Sequence, residues 1–424
     1  MKTAGLLFLL TLLSLAFNKA TAQQGFVYDN QIYLAQIQTV QCYNSQKEQS
    51  MPVITLKSAE QIKFSFDDLN GGSKNYWYTV EHCTSDWKSS RLSPLDYLEG
   101  MTDDRIVDYQ YSSNTLQKYT HYALSLPNDQ LKIKISGNYL LKVYLDGNLK
   151  KPVVSQRFYV VENTVTIGAE VVPSNQVPDR NLNQKINFSI FHPNPIQNPY
   201  TDIKAIVMQN GIPQTAITNT RPSFIKPGTL VYNDLNTNDF RAGNQFRKFD
   251  TRSFRYKAQN VQNIIMDSTV NVILFNDISG NSGKYTSQFD ENGNFFIRNQ
   301  DGRDNDTESD YAHVLFTLGA NAPGADGDVY VVGRFNNYNL TESNKLNWQP
   351  SKKRFYGNLL LKQGVYDYKY VWRDNKTGKI DDTALEGSFF ETENAYQIFV
   401  YFRKPGSRWD ELIGYTNIGT LVRN

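Results

Sequence analysis

An all-β protein of tandem immunoglobulin-like, early-set β-sandwich domains is the fold class this sequence predicts, and three observations carry it. The 424 residues include 27 Tyr and 24 Phe, set in short runs that alternate with polar residues as half-buried strands do. Asn, Asp and Gly break those runs at turn-like spacing. Only 2 Cys occur, so packed cores rather than a disulfide framework must hold the fold.

Met1 to Ala22 reads as a secretory signal peptide: Lys2 is the basic start, Leu6 to Phe17 the apolar stretch and Ala20-Thr21-Ala22 the cleavage site. No Cys follows the expected cut, so a lipid anchor is not indicated, and no later run is apolar for long enough to make a membrane helix. A soluble exported protein is expected. Roughly 400 residues remain, enough for two or three domains. We expect an N-terminal β-sandwich over 23–162, a middle β domain over 163–300, an acidic linker over 301–310 and a C-terminal early-set, starch-binding-module-like sandwich over 311–424. The formal net charge is +2 with acids and bases interspersed, which argues against nucleic acid or an acidic substrate.

The stretch from Tyr76 to Trp87 is the most distinctive. With period 2, Tyr76, Tyr78, Val80 and His82 share one face of a strand, and Trp77, Thr79, Glu81 and Cys83 the other. Trp87 is expected to cap the strand end. The run Ile62 to Phe66, the turn Asp68 to Gly72 and this strand read as a hairpin. Pro94 to Gly100 reads as a short helical bend, Tyr119 to Tyr122 restarts the strands, and Ser136-Gly137-Asn138 turns into Tyr139 to Leu145. Asp146-Gly147 signals a hairpin into Arg157 to Val161. Lys204 to Gln209 runs into an Asn210-Gly211 turn, and Gly243-Asn244 allows positive φ before Phe246 and Arg247. Asp290 to Gly293 reads as a hairpin turn. Tyr366, Tyr368, Tyr370 and Trp372 share a strand face, a sugar-stacking platform or, as we favour, a sandwich core. A last hairpin through Phe389, Tyr396, Ile398, Val400 and Phe402 is expected to end in a mobile tail after Trp409.

His82 and Cys83 adjoin but point to opposite faces, and no further ligand follows at zinc-like spacing, so core and edge roles are favoured over a metal. Cys42 and Cys83 are left open, as a pair or as two buried thiols. Arg241 and Arg247 are suited to a carboxylate, although surface salt bridges are commoner. The Asp and Glu cluster at 301–310 fails the calcium-loop spacing and reads as a solvated linker. Gly280 to Lys284 fails the phosphate-loop pattern, no Gly-x-Ser-x-Gly occurs, and nothing selects a glycosidase acid pair. No catalytic residue, cofactor or metal is assigned.

Taken in series, Tyr78 through Trp87, Asp96 to Gly100, Tyr119 to Tyr122, Ser136 to Tyr139, Gln209-Asn210 and Gly243 to Arg247 resemble the plug protein family of the type IX secretion system of Bacteroidetes, over about Tyr28 to Arg373. The residues carried over, with no role assigned, are Trp77, Tyr78, His82, Cys83, Trp87, Tyr97, Gly100, His121, Tyr122, Gly137, Asn138, Gln209, Asn210, Gly243, Asn244, Phe246 and Arg247. One departure is Gln245, where the family usually has Glu. The resemblance implies a non-enzymatic periplasmic protein that reversibly closes the periplasmic end of the giant outer-membrane β-barrel translocon. The partners implied are that barrel and its accessory subunits. A secreted carbohydrate-binding module protein is the alternative.

Overall fold

Residues 25–281, 283–319 and 327–420 are described by a computed structural model; the expected leader, 1–22, lies outside the described residues. The all-β expectation holds, with helices of no more than four residues.

The first sandwich faces two sheets. One runs Gln31–Ile32, Pro152–Val161, Gly137–Leu145, Tyr76–Cys83, Asp103–Arg105, with Val53–Thr55 added parallel to Pro152–Val161. The other runs Ile37–Asn44, Ile62–Asp68, Thr120–Leu126, Asp108–Tyr111. Tyr76, Tyr78, Val80 and His82 all point inward, at 0–1 % exposure. The rings of Phe66, Tyr76 and Tyr122 pack at centroid distances of 4.7–5.2 Å. Each such ring contributes about 1.5–3 kcal/mol of burial.

The middle sandwich pairs the sheet Thr166–Pro173, Asn183–Phe191, Thr229–Tyr232, Phe224–Lys226 with a second, Ile217–Asn219, Ile203–Gln209, Ala395–Phe402, Glu411–Gly419. Its core therefore joins Ile186, Phe188 and Leu230 to Tyr396, Ile398 and Val400 from nearly 200 residues later. The third unit is an eleven-stranded sheet system whose long strands are Tyr311–Gly319, Arg354–Lys362 and Gly364–Asp374. Phe249, Phe316, Tyr366 and Tyr368 fill it.

Several expectations fail, for one physical reason: alternation identifies a strand but not its partner. Ile62–Asp68 and Tyr76–Cys83 do not form a hairpin; they lie in opposite sheets, and the Gly71-Gly72 turn crosses the sandwich. Asp290 to Gly293 is a turn with positive φ at Asn292 and Gly293, but only Phe295–Ile297 follows as a strand, bound to Gly364–Asp374. The tail after Trp409 is the strand Glu411–Gly419, paired along its length with Ala395–Phe402. Those two strands close the middle sandwich rather than the last one, and the third core begins before residue 250 rather than at 311. We propose that the folding units follow the cores: 31–162, then 165–242 with 395–419, with 247–390 inserted between.

The segment 301–310 is not a solvated linker. Asp304 accepts from the Asp306 and Thr307 amides, and Glu308 from those of Arg303 and Asp304. Asp310 accepts from Leu116 and Gln117, and Tyr119 donates to the carbonyls of Asp306 and Ser309. Asp304, Glu308 and Asp310 each satisfy backbone donors, and the bonds to Leu116, Gln117 and Tyr119 seal the third unit to the first.

Candidate functional site

The residues singled out by sequence divide between joints that link the units and packing inside the first sandwich, where Trp77, Tyr78, Tyr97 and Gly100 lie. The first joint lies where the hairpin Ala395–Phe402 and Glu411–Gly419 covers the outer face of the first sandwich. Val53, Tyr159, Val161, Met208, Phe399 and Tyr401 form a shared apolar core there. Asn138 donates to the Thr84 carbonyl at 3.1 Å and accepts from the Tyr401 hydroxyl at 2.7 Å. Asp410 accepts from the Ser85 amide at 3.0 Å and from Arg403 at 2.8 Å.

His82 stands beside this joint with its Nε2 3.4 Å from the Ser136 carbonyl and its Nδ1 unpartnered. Burial pushes its pKa down to about 4, so the ring is neutral. Gly137 is the reason it fits. At φ +146°, a Cβ there would lie 2.4 Å from His82 Nε2. Cys83 points the other way, with burial pushing its thiol up to about 12, and Cys42 is raised likewise; both are free thiols. Trp87, at φ 58°, does not cap the strand end. It folds over the sheet, 4.4 Å beneath Arg157 and edge-on to Tyr159. Tyr97 donates to the Val80 carbonyl, Tyr78 accepts from Asn128, and Trp77 covers the Gly147 turn. Gly100 at φ +98° lets Leu98–Gly100 pair closely with Leu131–Ile133; a Cβ would lie 2.3 Å from Gln130 O.

The second joint is an ionic knot between the first and third units. Asp67, fully buried, accepts from His121 Nδ1 at 2.7 Å, from Lys362 Nζ at 2.6 Å and from the Tyr311 hydroxyl at 2.6 Å. Lys362 is 1 % exposed and sits 4.2 Å over the Tyr119 ring. Burial alone would raise the Asp67 pKa, but Lys362 and His121 outweigh it and hold the carboxylate ionised. Tyr122, next to His121, accepts from the Lys74 amide and stacks on Phe66. Of these residues sequence reasoning found only His121 and Tyr122. Asp67 and Lys362 carry no sequence signal that sets them apart, because each lies in a strand that holds other polar residues, Ile62–Asp68 and Arg354–Lys362.

The third joint surrounds the two chain crossings between the middle and third units, 243–246 and 391–394, where Ser388 donates to the Leu182 carbonyl and Gln184 to that of Phe390. Gly243, at φ +66°, donates to Ser388 and accepts from Phe389 and Thr392. Asn244 donates to the Glu386 carbonyl and the Phe246 amide to Asp290. Arg247 grips Glu386 at 2.7 Å and Asp277 at 3.1 Å, and the cation holds both acids under Tyr370. Burial raises the Asp277 carboxyl nonetheless, because the guanidinium is shared with Glu386 and the Glu386 charge opposes ionisation. Arg241, by contrast, is exposed and 3.9 Å from Asp179. Gln209 donates to the Arg241 carbonyl, and Asn210, at φ 52°, exchanges bonds with Asn394 and Ala395. Gln245 accepts from the Glu393 amide and donates to Tyr285, a pairing suited to an amide.

Tyr366, Tyr368 and Tyr370 are at most 1 % exposed and lie in the core, so they offer no sugar platform. Among the described residues no three His, Cys, Asp or Glu side chains are placed to hold a metal ion. What the geometry can do is hold three sandwiches as one body through desolvated polar joints.

The class this defines is a body of β-sandwich units joined by buried polar contacts. Residues 37–162, the first sandwich, match the family described as the type 9 secretion system plug protein 1st domain. The chain is also similar to a solved structure, a hypothetical protein from Parabacteroides merdae ATCC 43184, at 36% identity and a TM-score of 0.88, covering 93% of this chain and 100% of that one. No curated protein matches. The chain belongs to the type IX secretion system plug protein family, a family of secretion components.

Proposed function

We propose that this protein is a non-enzymatic plug that reversibly closes the periplasmic end of the giant outer-membrane β-barrel translocon of type IX secretion. The observation that carries the reading, beyond family membership, is the replacement of linkers by buried joints. A pore block must resist deformation, and Asp67–Lys362, Ser388–Leu182 and Asn138–Tyr401 each cross between units. A compact chain of this length has a radius of gyration of about 21 Å, enough to obstruct a wide channel. No helix among the described residues is long and apolar enough to cross a membrane, which suits a body that docks on a barrel from the periplasm. Release requires an interface that the open barrel no longer satisfies. Planar-bilayer recording of the purified barrel tests this. Added protein is expected to lower the conductance in steps and washing to restore it; unchanged conductance at saturating protein would overturn the proposal.

A further inference from the structure

Arg334 opens a short helical turn in the third unit, where the loop 45–52 of the first sandwich and the Asn210-Gly211 turn of the middle one converge. Its Nη1 donates to Asn294 Oδ1 at 3.1 Å and to the Gln49 carbonyl at 3.4 Å, and its Nη2 to the Ser50 carbonyl at 3.0 Å. No carboxylate among the described residues forms an ion pair with it, in contrast to Arg157, Arg247 and Arg298. Burial accordingly lowers its pKa, with only Tyr338, Cys42 and Tyr415 opposing. Of the five N–H groups of the guanidinium these contacts take three, and the Nε/Nη2 edge is the fork that fits a carboxylate.

A second feature points the same way. Gln49 is 5 % exposed and its Nε2 has no partner, and the Ser50 hydroxyl is likewise buried and unpartnered. Both belong to the two residues whose carbonyls hold the guanidinium. Gln49 is fixed there at φ 57°, and Gly211 lets the turn approach: a Cβ on it would meet Met51 Sδ at 2.8 Å. Gln49 and Arg334 line a cavity of about 50 Å³, which opens beside a cleft of about 700 Å³. The cavity holds about three water-sized volumes, the size of a carboxylate head.

We propose that this three-way junction is a carboxylate-binding site, with Arg334 gripping the two oxygens and Gln49 Nε2 and Ser50 Oγ donating to them. Glu291 and Glu393 line the outer cleft, so the site selects a single charge over phosphate or sulfate. Two sources supply this chemistry: a small free carboxylate, or an acidic side chain of a partner chain lying in the cleft. The second rests on the plug reading; the first does not.

The test is thermal unfolding and calorimetric titration of the full chain with acetate at fixed ionic strength, with acetamide as the neutral analogue. Acetate is expected to give a saturable rise in Tm of about 2 °C once well above its Kd, and acetamide none. Arg334→Gln should abolish the response. Gln49→Leu, which keeps the charge and the backbone contacts, should weaken acetate by at least about threefold, one lost hydrogen bond. N-acetylglutamate amide against N-acetylglutamine amide separates the sources. Binding of the first alone supports a partner carboxylate, and acetate binding without it supports a small ligand. No saturable acetate response, an equal response to acetamide, or an unchanged response in both variants would overturn the site. Loss of this response alongside intact barrel binding removes the inference and leaves the plug reading standing; the reverse removes the plug reading alone.

Discussion

Replacing Lys362 with Met removes the cation from the ionic knot at nearly constant volume. Asp67 and Lys362 are 0 % and 1 % exposed, so water cannot take over the lost bond. Orphaning one member of a buried pair costs about 3–5 kcal/mol. Here His121 and Tyr311 still serve Asp67, which places the expected loss near the lower end, about 3 kcal/mol. The paired variant Asp67→Asn/Lys362→Met removes both charges and should lose less than the sum of the Asp67→Asn and Lys362→Met losses, a coupling of about 1 kcal/mol or more. Urea titration followed by tryptophan fluorescence, with small-angle scattering to detect separation of the units, reads both quantities. Because the Asp67 carboxyl is held below its ordinary range, its stabilisation is complete above about pH 4 and disappears as pH falls through the folded value. The acid limb of Lys362→Met should move to higher pH. A loss below about 1 kcal/mol, the scale of an exposed pair, or an unmoved acid limb would refute the knot as a structural joint.

Other outcomes follow from the same geometry. His82 is neutral in the fold with a pKa near 4 but titrates near 6.5 when unfolded, so its contribution is whole above about pH 6.5 and lost towards pH 4, by about 3 kcal/mol in all; His82→Phe should flatten that slope in a Tm–pH series. Asp367 behaves oppositely. Burial raises its pKa to about 7, since Lys248 at 3.7 Å offsets only part of the cost, so its stability is whole below about pH 4 and is lost as pH rises to about 7; Asp367→Asn should raise Tm most at pH 8, less at pH 5 and least near pH 4. Gly137→Ala should cost more than about 1 kcal/mol, and His82→Ala in the same chain should recover only the clash and not the positive φ. Cys42 and Cys83 should react with a thiol reagent only after denaturation, because their buried thiols are pushed up to about 12.

Local pattern was legible where the physics is local. The faces of Tyr76–Cys83, the turns at Asp146-Gly147 and Asn210-Gly211, and the inward Tyr366, Tyr368 and Tyr370 all follow from period 2 and turn chemistry. Which strands pair is set by contacts far apart in sequence, and there the reading failed: Ala395–Phe402 binds Ile203–Gln209 across almost 200 residues. The acidic stretch 301–310 looked solvated because composition alone does not show that its carboxylates cap backbone amides. The motif residues Asn138 and Arg247 were visible, but Tyr401, the partner of Asn138, lies on the middle unit, and Glu386 and Asp277, the partners of Arg247, lie far along the chain within the third, so these contacts could be seen only in three dimensions.

The central claim, that this body closes a secretion barrel, is tested most directly by affinity purification of the tagged chain from detergent-solubilised outer membranes, with quantitative mass spectrometry of what accompanies it. The plug account predicts recovery of one very large β-barrel protein in near-equal amount. Recovery of the tagged chain alone, or with no barrel above background, would contradict it.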